Sequence, residues 1–214
     1  MISKSEQREA QQRAVRMMRE AGIHVMDNEI EKIEVVDFGL SQLSVEGVQV
    51  FTMVNTDRLA AKVLALFPNQ TEPEHWHPQV GNDPGKQETI SHIWGDLRFY
   101  VDGPDTLKEG FLVPGKDEVY RLRHEIVLEP GDQLTFEPYE KHWFQAGPRG
   151  AVLYSFSTTV RDGLDGFTDP TIQRVTVVEV GPRDGLQNEA VPLSVEDRVA
   201  LCDRLVAAGL PVVE

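Results

Sequence analysis

The chain has 214 residues and a formal net charge of −14, with 26% charged and 40% hydrophobic residues. This length gives room for one good core, or for one domain plus a piece of another, and the composition is that of a globular protein. The negative charge would repel nucleic acids and anionic membranes, so we expect neither as a partner. The single cysteine, Cys202, excludes an intramolecular disulfide. With no secretory signal and no run of 18 apolar residues, the sequence predicts a cytoplasmic protein.

The first 35 residues predict a helical segment. Residues 3–21 read as one helix, which Ser3 or Ser5 can cap and Gly22 ends. A second short helix is predicted around residues 28–33. Apolar residues recur at helical spacing in the first helix at Ala10, Ala14, Met17, Met18 and Ala21.

From about Gly47 to Thr159 the pattern changes to short runs rich in Val, Phe, Leu and Tyr. Turn residues such as Pro130-Gly131-Asp132 separate these runs. Many short strands at regular spacing predict an antiparallel sandwich or barrel. The runs are VQVFTMV, KVLALF, DLRFYV, EIVLEPGD, QLTFEP and GAVLYSF.

A candidate metal site lies in the middle of this region. His75 and His77 are two residues apart, so on a strand they share a face while Trp76 points the other way. Glu88 returns from the next predicted strand, and His142 comes later in PYEKHWF. Imidazoles and a carboxylate that converge in this way can bind one cation. The alternative is an HxH pair on an exposed strand edge that binds nothing.

The same residues resemble the two sequence motifs of the cupins. The residues that fit are His75, His77, Glu88, Gly95, Gly131, Pro138 and His142. The resemblance implies a mainly β fold, a double-stranded β-helix or jelly-roll barrel, behind the N-terminal helices.

A closer resemblance covers residues 12–172. The segments VNTDRLAAKVLALFPNQTEPEHWHP, GKQET, HEIVLEPGDQ, KHWFQAG and FTDP are similar to the small bacterial D-lyxose ketol-isomerases. Members of this family use a divalent metal, commonly Mn, to interconvert D-lyxose and D-xylulose, and often D-mannose and D-fructose. The resemblance implies that His75, His77, Glu88 and His142 are the metal ligands, with Zn, Fe or Co as alternatives to Mn.

Aldose–ketose isomerisation moves a proton between adjacent carbons through an enediol, so it needs a proton carrier. Lys86 lies two residues before Glu88 and would share its face; desolvation and a nearby cation would lower its pKa and make it a usable acid or base. It could equally be a solvated loop lysine. Lys141, Gln145 and Asp169 are candidate substrate-binding residues, although Lys141, an odd step from His142, should face away on a regular strand.

Three other functions remain open on the residues alone. An Fe(II) cupin dioxygenase would use similar ligands but need O₂, and a non-catalytic sugar-binding cupin would keep the pocket without turnover. A phosphosugar isomerase is the nearest rival in chemistry, but no Gly-rich phosphate loop or dense Arg/Lys cluster accompanies the site. The expected partners are a small sugar and, by analogy with other cupins, a second copy of the chain in a homodimer.

The C-terminal segment, residues 173–214, has a different pattern. The run VTVVEV, then GPRDGLQNE, a helix at about 194–208 and a final LPVVE predict a β–α–β unit of a parallel sheet. GPRDGLQ resembles the opening of hydroxymethylglutaryl-CoA lyases, which are (β/α)₈ barrels. About 42 residues cannot form a barrel that needs about 250, so we expect a truncated fragment without lyase activity. The predicted domains are therefore 1–172 and 173–214.

Overall fold

A computed structural model describes residues 2–158, 160, 162–172, 178–179, 194–207 and 212–213. The chain divides into two compact units, Met1–Gln173 and Arg174–Glu214. Among the described residues, no helix is both long enough and apolar enough to cross a membrane.

The first unit begins with the predicted helix. Helix α1 spans Lys4–Glu20, and Ser3 caps it in a reciprocal capping box with Glu6. Its buried face packs with outward-facing residues of the sheet, Val63 and Val152 among them. The second predicted helix is a 3₁₀ helix at Asp27–Lys32. Both predictions are confirmed.

Nine strands form one antiparallel, curled sheet in this unit, which confirms the mainly β fold class. They pair in the order β1-β2-β3-β8-β4-β9, and β5 pairs with β6, β7 and β8. The strands are β1 (Glu34–Val36), β2 (Val48–Asn55), β3 (Ala60–Leu66), β4 (Thr71–Trp76), β5 (Glu88–Val101), β6 (His124–Leu128), β7 (Gln133–Phe136), β8 (His142–Ser157) and β9 (Gly166–Phe167).

The two long strands β5 and β8 run side by side over most of their length, and the sheet bends where their register shifts. Gly95 pairs with Ala151 before the shift, and Leu97 pairs with Ala146 after it. Gly95 has φ +95°, and a Cβ there would lie 2.1 Å from the carbonyl oxygen of Gly150. Only glycine fits this bend without strain.

Alternation along β8 separates two environments. His142 and Phe144 face the inside of the curled sheet, where the rings of Phe144 and Phe99 stack at 4.6 Å. Trp143 and its neighbours face outward, against the connecting segment 102–123. The Trp143 ring stacks on Tyr100 at 3.6 Å, and its Nε1–H donates a hydrogen bond to the carbonyl oxygen of Leu122. The inward-facing residues of β8 therefore line one side of the interior of the curled sheet, where His142 lies.

The second unit contains β10 (Val178–Glu179), α2 (Val195–Ala207) and β11 (Val212–Val213). Strands β10 and β11 pair in parallel, which confirms the predicted β–α–β order. The hydroxyl of Ser194 accepts a hydrogen bond from the backbone N–H of Asp197 at the start of α2. The GPRDGLQNE motif lies outside the described residues.

Candidate active site

Three histidines meet on the inward face of the sheet. His75 lies in β4 and pairs directly with His142 at the start of β8, and His77 follows β4. One ring nitrogen from each lies within 4.8 Å of the other two. All three side chains are buried, at 1–3% exposure. The two strands thus gather the imidazoles that the sequence predicted as metal ligands.

The second ring nitrogen of each histidine has a partner of its own. His75 Nδ1 lies 2.8 Å from the Pro73 carbonyl oxygen, and His142 Nδ1 lies 3.0 Å from that of Glu140. A carbonyl oxygen can only accept, so both Nδ1 atoms carry the proton and both Nε2 atoms offer a lone pair. His77 Nδ1 lies 2.9 Å from Asp165 Oδ1.

Glu88 joins the histidines from the start of β5. Its Oε2 lies 3.1 Å from His77 Nε2, and its Oε1 accepts a hydrogen bond from the hydroxyl of Ser155. Burial disfavours the charged carboxylate, but Lys86 and His77 outweigh it and hold the pKa of Glu88 well below its usual range. Glu88 therefore offers an ionised carboxylate oxygen as a metal ligand, beside the ring nitrogens of three histidines.

The chemistry of these donors fits a divalent cation. Desolvation and the nearby His77 lower the pKa of His75 to about 4, and desolvation and His75 hold the pKa of His142 well below its usual range. Both rings are neutral and ready to coordinate. Burial also opposes the charged form of His77, yet Asp165 and Glu88 outweigh it and raise its pKa. Imidazoles with one carboxylate suit Mn, Fe, Co or Zn.

Lys86 reaches the same place, but its charge state differs from the sequence prediction. Its Nζ lies 3.1 Å from Asp162 Oδ1 and 3.5 Å from Glu88 Oε2. Burial lowers the pKa of Lys86, as predicted, but Glu88, Asp162 and Asp165 outweigh burial and raise it. The predicted fall in pKa also assumed a bound cation; without one, Glu88 and the two aspartates, which the sequence did not reveal, favour the ammonium form of Lys86.

Glu72 also faces the histidines, although its spacing from His75 in the sequence does not predict this. It lies three residues before His75, and on a regular strand the two side chains would point to opposite faces. A β-bulge between them shifts the register, so both face inward. Glu72 Oε1 lies 4.0 Å from His75 Nε2, and its buried Oε2 has no hydrogen-bond partner among the described residues. Desolvation and the charge of Glu88 raise the pKa of Glu72 to about 8.

The site contains three further charged residues that no sequence motif or spacing was specific enough to predict. Lys62 is the one charged residue of β3, and its buried ammonium contacts Asp162. Asp162 and Asp165 come from the segment DGLDGF, where only the repeated aspartate three residues apart hinted at a role. Both aspartates reach the site because β9 pairs with β4.

The predicted substrate-binding residues are not brought to the histidines. Lys141 Nζ lies over the Trp76 ring, 4.6 Å from its centre, on the outer face. Gln145 faces outward and accepts a hydrogen bond from the Phe111 backbone N–H. Asp169 forms an ion pair of 2.7 Å with Lys116. The expected outward direction of Lys141 agrees with this arrangement.

Comparison with known proteins extends this picture. The chain is 52% identical over 176 residues to a D-lyxose ketol-isomerase of Cohnella laeviribosi, which covers 82% of this chain and 97% of that protein. It is 45% identical over 180 residues to a D-lyxose/D-mannose isomerase of Thermosediminibacter oceani, covering 84% of this chain and 99% of that one. The L-ribose isomerase structure of Cellulomonas parahominis superposes with a TM-score of 0.65, at 16% identity, over 80% of this chain and 94% of that one. No protein-family profile matches the chain.

The curled sheet and the superposition define a protein with the cupin type of fold. The sequence relatives then narrow the class. The chain belongs to the D-lyxose ketol-isomerase family.

The C-terminal segment matches a different group. Over 42 residues it is 57% identical to the mitochondrial hydroxymethylglutaryl-CoA lyase of Gallus gallus, which is 20% of this chain but only 14% of that enzyme.

Proposed function

We propose that the protein is a metal-dependent aldose–ketose isomerase that interconverts D-lyxose and D-xylulose, and also D-mannose and D-fructose. The observation that supports it best is the meeting of three buried histidines with Glu88 and Lys86 inside the sheet. The names of the relatives supply D-lyxose and D-mannose, whose ketose isomers are D-xylulose and D-fructose, and the donor set suits Mn²⁺ as the cation. His75, His77, Glu88 and His142 are the proposed ligands.

A bound divalent cation would hold the two sugar oxygens and stabilise negative charge as the enediol forms. We assign to Lys86, whose buried ammonium lies beside Glu88, the donation of a proton to a sugar oxygen as the enediol forms; a separate base takes the proton from carbon. The unpaired Oε2 of Glu72 and the ammonium of Lys62 are the proposed hydrogen-bond partners of the sugar hydroxyls. These two replace Lys141, Gln145 and Asp169 in that role, because the latter three contact other groups on the outer face.

The rest of the proposal concerns organisation. We infer an isomerase domain at 1–172 followed by a lyase-like segment at 173–214, whose 42 matched residues correspond to 14% of a lyase. A homodimer is proposed by analogy with other cupins. A cytoplasmic location agrees with the single cysteine.

The test is turnover of D-lyxose by protein stripped of metal with a chelator, with and without added Mn²⁺. We expect activity only with the metal. A His75→Ala variant should stay inactive in Mn²⁺. His124→Ala is the matched control, because His124 contacts Thr106 on the outer side and should leave turnover within about twofold.

Tight Mn²⁺ binding without turnover of D-lyxose, D-mannose or any other aldose would contradict the isomerase proposal. Metal-dependent oxygen consumption with Fe²⁺ would instead support a dioxygenase. Equal activity with and without metal would contradict the metal dependence alone.

A further inference from the structure

A short segment closes the site on one side. We call residues 162–167 the strap. Its strand β9 pairs with β4, and Phe167 lies opposite His75. Gly166 lies against Trp76 so closely that a Cβ would fall 2.1 Å from the indole ring. The strap is thus fixed against the same strand that carries the first histidine.

The two aspartates of the strap have different tasks. Asp162 contacts the ammonium groups of Lys62 and Lys86, and its side chain is 46% exposed. The Asp165 side chain is 11% exposed, and its Oδ1 lies 2.9 Å from His77 Nδ1. One aspartate therefore holds lysines, and the other holds a candidate metal ligand.

His77 is oriented differently from the other two histidines. His75 and His142 each bond a carbonyl oxygen two residues earlier in the chain, so their own strand ends fix them. His77 is held by a side chain 88 residues later in the sequence. A carboxylate that accepts the Nδ1 proton fixes the ring and strengthens the other nitrogen as a donor, more than a neutral carbonyl does.

We propose that Asp165 is a positioning residue that orients His77 toward the metal and sets the affinity of the site for it. The inference rests on the proposed metal dependence, but on no particular sugar. It deepens that proposal by adding a residue that the sequence did not indicate.

The experiment measures Mn²⁺ binding to metal-stripped full-length protein by the electron paramagnetic resonance signal of the free ion, without sugar. We expect Asp165→Ala to weaken binding about 100-fold and Asp165→Asn about tenfold, since asparagine keeps the acceptor but loses the charge. Asp169→Asn is the matched control, because it removes the same charge from an ion pair with Lys116 on the outer face, away from the histidines. Its affinity should stay within about threefold of the parent.

Thermal unfolding of the metal-free forms separates positioning from folding. Asp165→Asn and the parent should unfold within about 3 °C of each other, because only one hydrogen bond changes character. Parental Mn²⁺ affinity in both Asp165 variants would overturn the proposal, as would equal weakening by Asp169→Asn. A parent that binds no Mn²⁺ would overturn both this inference and the metal dependence. Loss of binding in Asp165→Ala beside a parent that binds Mn²⁺ but turns over no aldose would support Asp165 and contradict only the isomerase.

Discussion

The same sheet carries a buried polar cluster on each of its two faces, and the two clusters differ in how well their groups are paired. The inner cluster consists of Glu72, His75, His77, Lys86, Glu88 and His142. The outer cluster consists of Glu46, Glu74, Lys116, Gln145 and Asp169. Most of these side chains are less than a tenth exposed, so burial alone does not distinguish the two clusters.

In the outer cluster the buried acceptors meet donors. Glu46 accepts hydrogen bonds from Lys116 Nζ at 2.6 Å and from the Tyr120 hydroxyl at 2.5 Å. Glu74 accepts from the backbone N–H groups of Arg121 and Leu122, at 2.7 and 3.0 Å. These bonds tie the segment 102–123 to the sheet. A network satisfied in this way stabilises a fold.

In the inner cluster, by contrast, imidazoles lie beside imidazoles and a carboxyl group lies near another carboxyl group. One ring nitrogen of each of three imidazoles lies within 4.8 Å of the other two, and the charge of Glu88 raises the cost of ionising Glu72. One Glu72 oxygen is left without a partner in the described part of the chain. Such an arrangement costs stability and is retained for ligands that complete it. The difference in pairing, more than burial, is the reason why we propose the inner cluster as the functional one.

The largest expected effect comes from an inner residue. His142→Ala removes one proposed metal ligand, and with it several kcal/mol of transition-state stabilisation, so kcat/KM for D-lyxose should fall about a thousandfold or more. The control is Gln145→Ala on the same strand, which faces outward and donates to Thr71. It should lower stability by about 1–3 kcal/mol but keep kcat within about threefold. Equal losses of activity would remove the distinction between the clusters.

The outer cluster should show the opposite result. Glu46→Ala leaves the Tyr120 hydroxyl and one side of Lys116 unpaired in the interior, so the free energy of unfolding should fall by about 3 kcal/mol. Urea denaturation measures it, with Glu46→Gln as the milder variant. At 25 °C the folded Glu46→Ala protein should retain kcat/KM within about threefold. A stable but inactive variant would contradict the structural role.

The smallest expected effect is a change with pH in the free energy of unfolding, and it comes from the inner-cluster residue Glu72. The pKa of Glu72 is raised to about 8 in the folded, metal-free chain, above its ordinary value of 4.5. A raised carboxyl pKa favours the folded state at low pH, and this stability is lost as the pH rises toward 8. Glu72→Gln cannot ionise, so relative to the parent it should gain about 2–3 kcal/mol between pH 5 and pH 7. Urea denaturation of metal-free protein at the two pH values tests this; a constant difference would contradict the raised pKa.

Much of the fold followed from local patterns in the sequence. The cap at Ser3, the helical spacing of apolar residues and the alternating strands predicted α1 and the mainly β architecture. Local sequence patterns, however, predict single strands and not which strands pair. Which strands pair, and where Gly95 bends β5 against β8, depends on contacts between residues far apart in sequence.

The site was predictable where it followed strand periodicity or the family resemblance. His75 and Glu88 are examples, because both lie at the positions that their motif predicts. Glu72 was missed because a bulge breaks the alternation, and Asp165 because its approach depends on a long-range strand pairing. Gln145 was selected for its closeness in sequence to His142, but an odd step along β8 turns it outward.

The long strands β5 and β8 also have a consequence for how the chain folds. The two strands pair with each other on both sides of the bend, so the two halves of the sheet are joined only when these strands meet. Glu88 and Ser157, which pair at the end of both strands, are separated by most of the barrel sequence. Closing so long a loop is entropically costly and slow, so we expect folding on the millisecond-to-second scale typical of β proteins with non-local pairings. His75 and His77 precede that loop and His142 lies within it, so we expect the three histidines to come together only as the sheet closes.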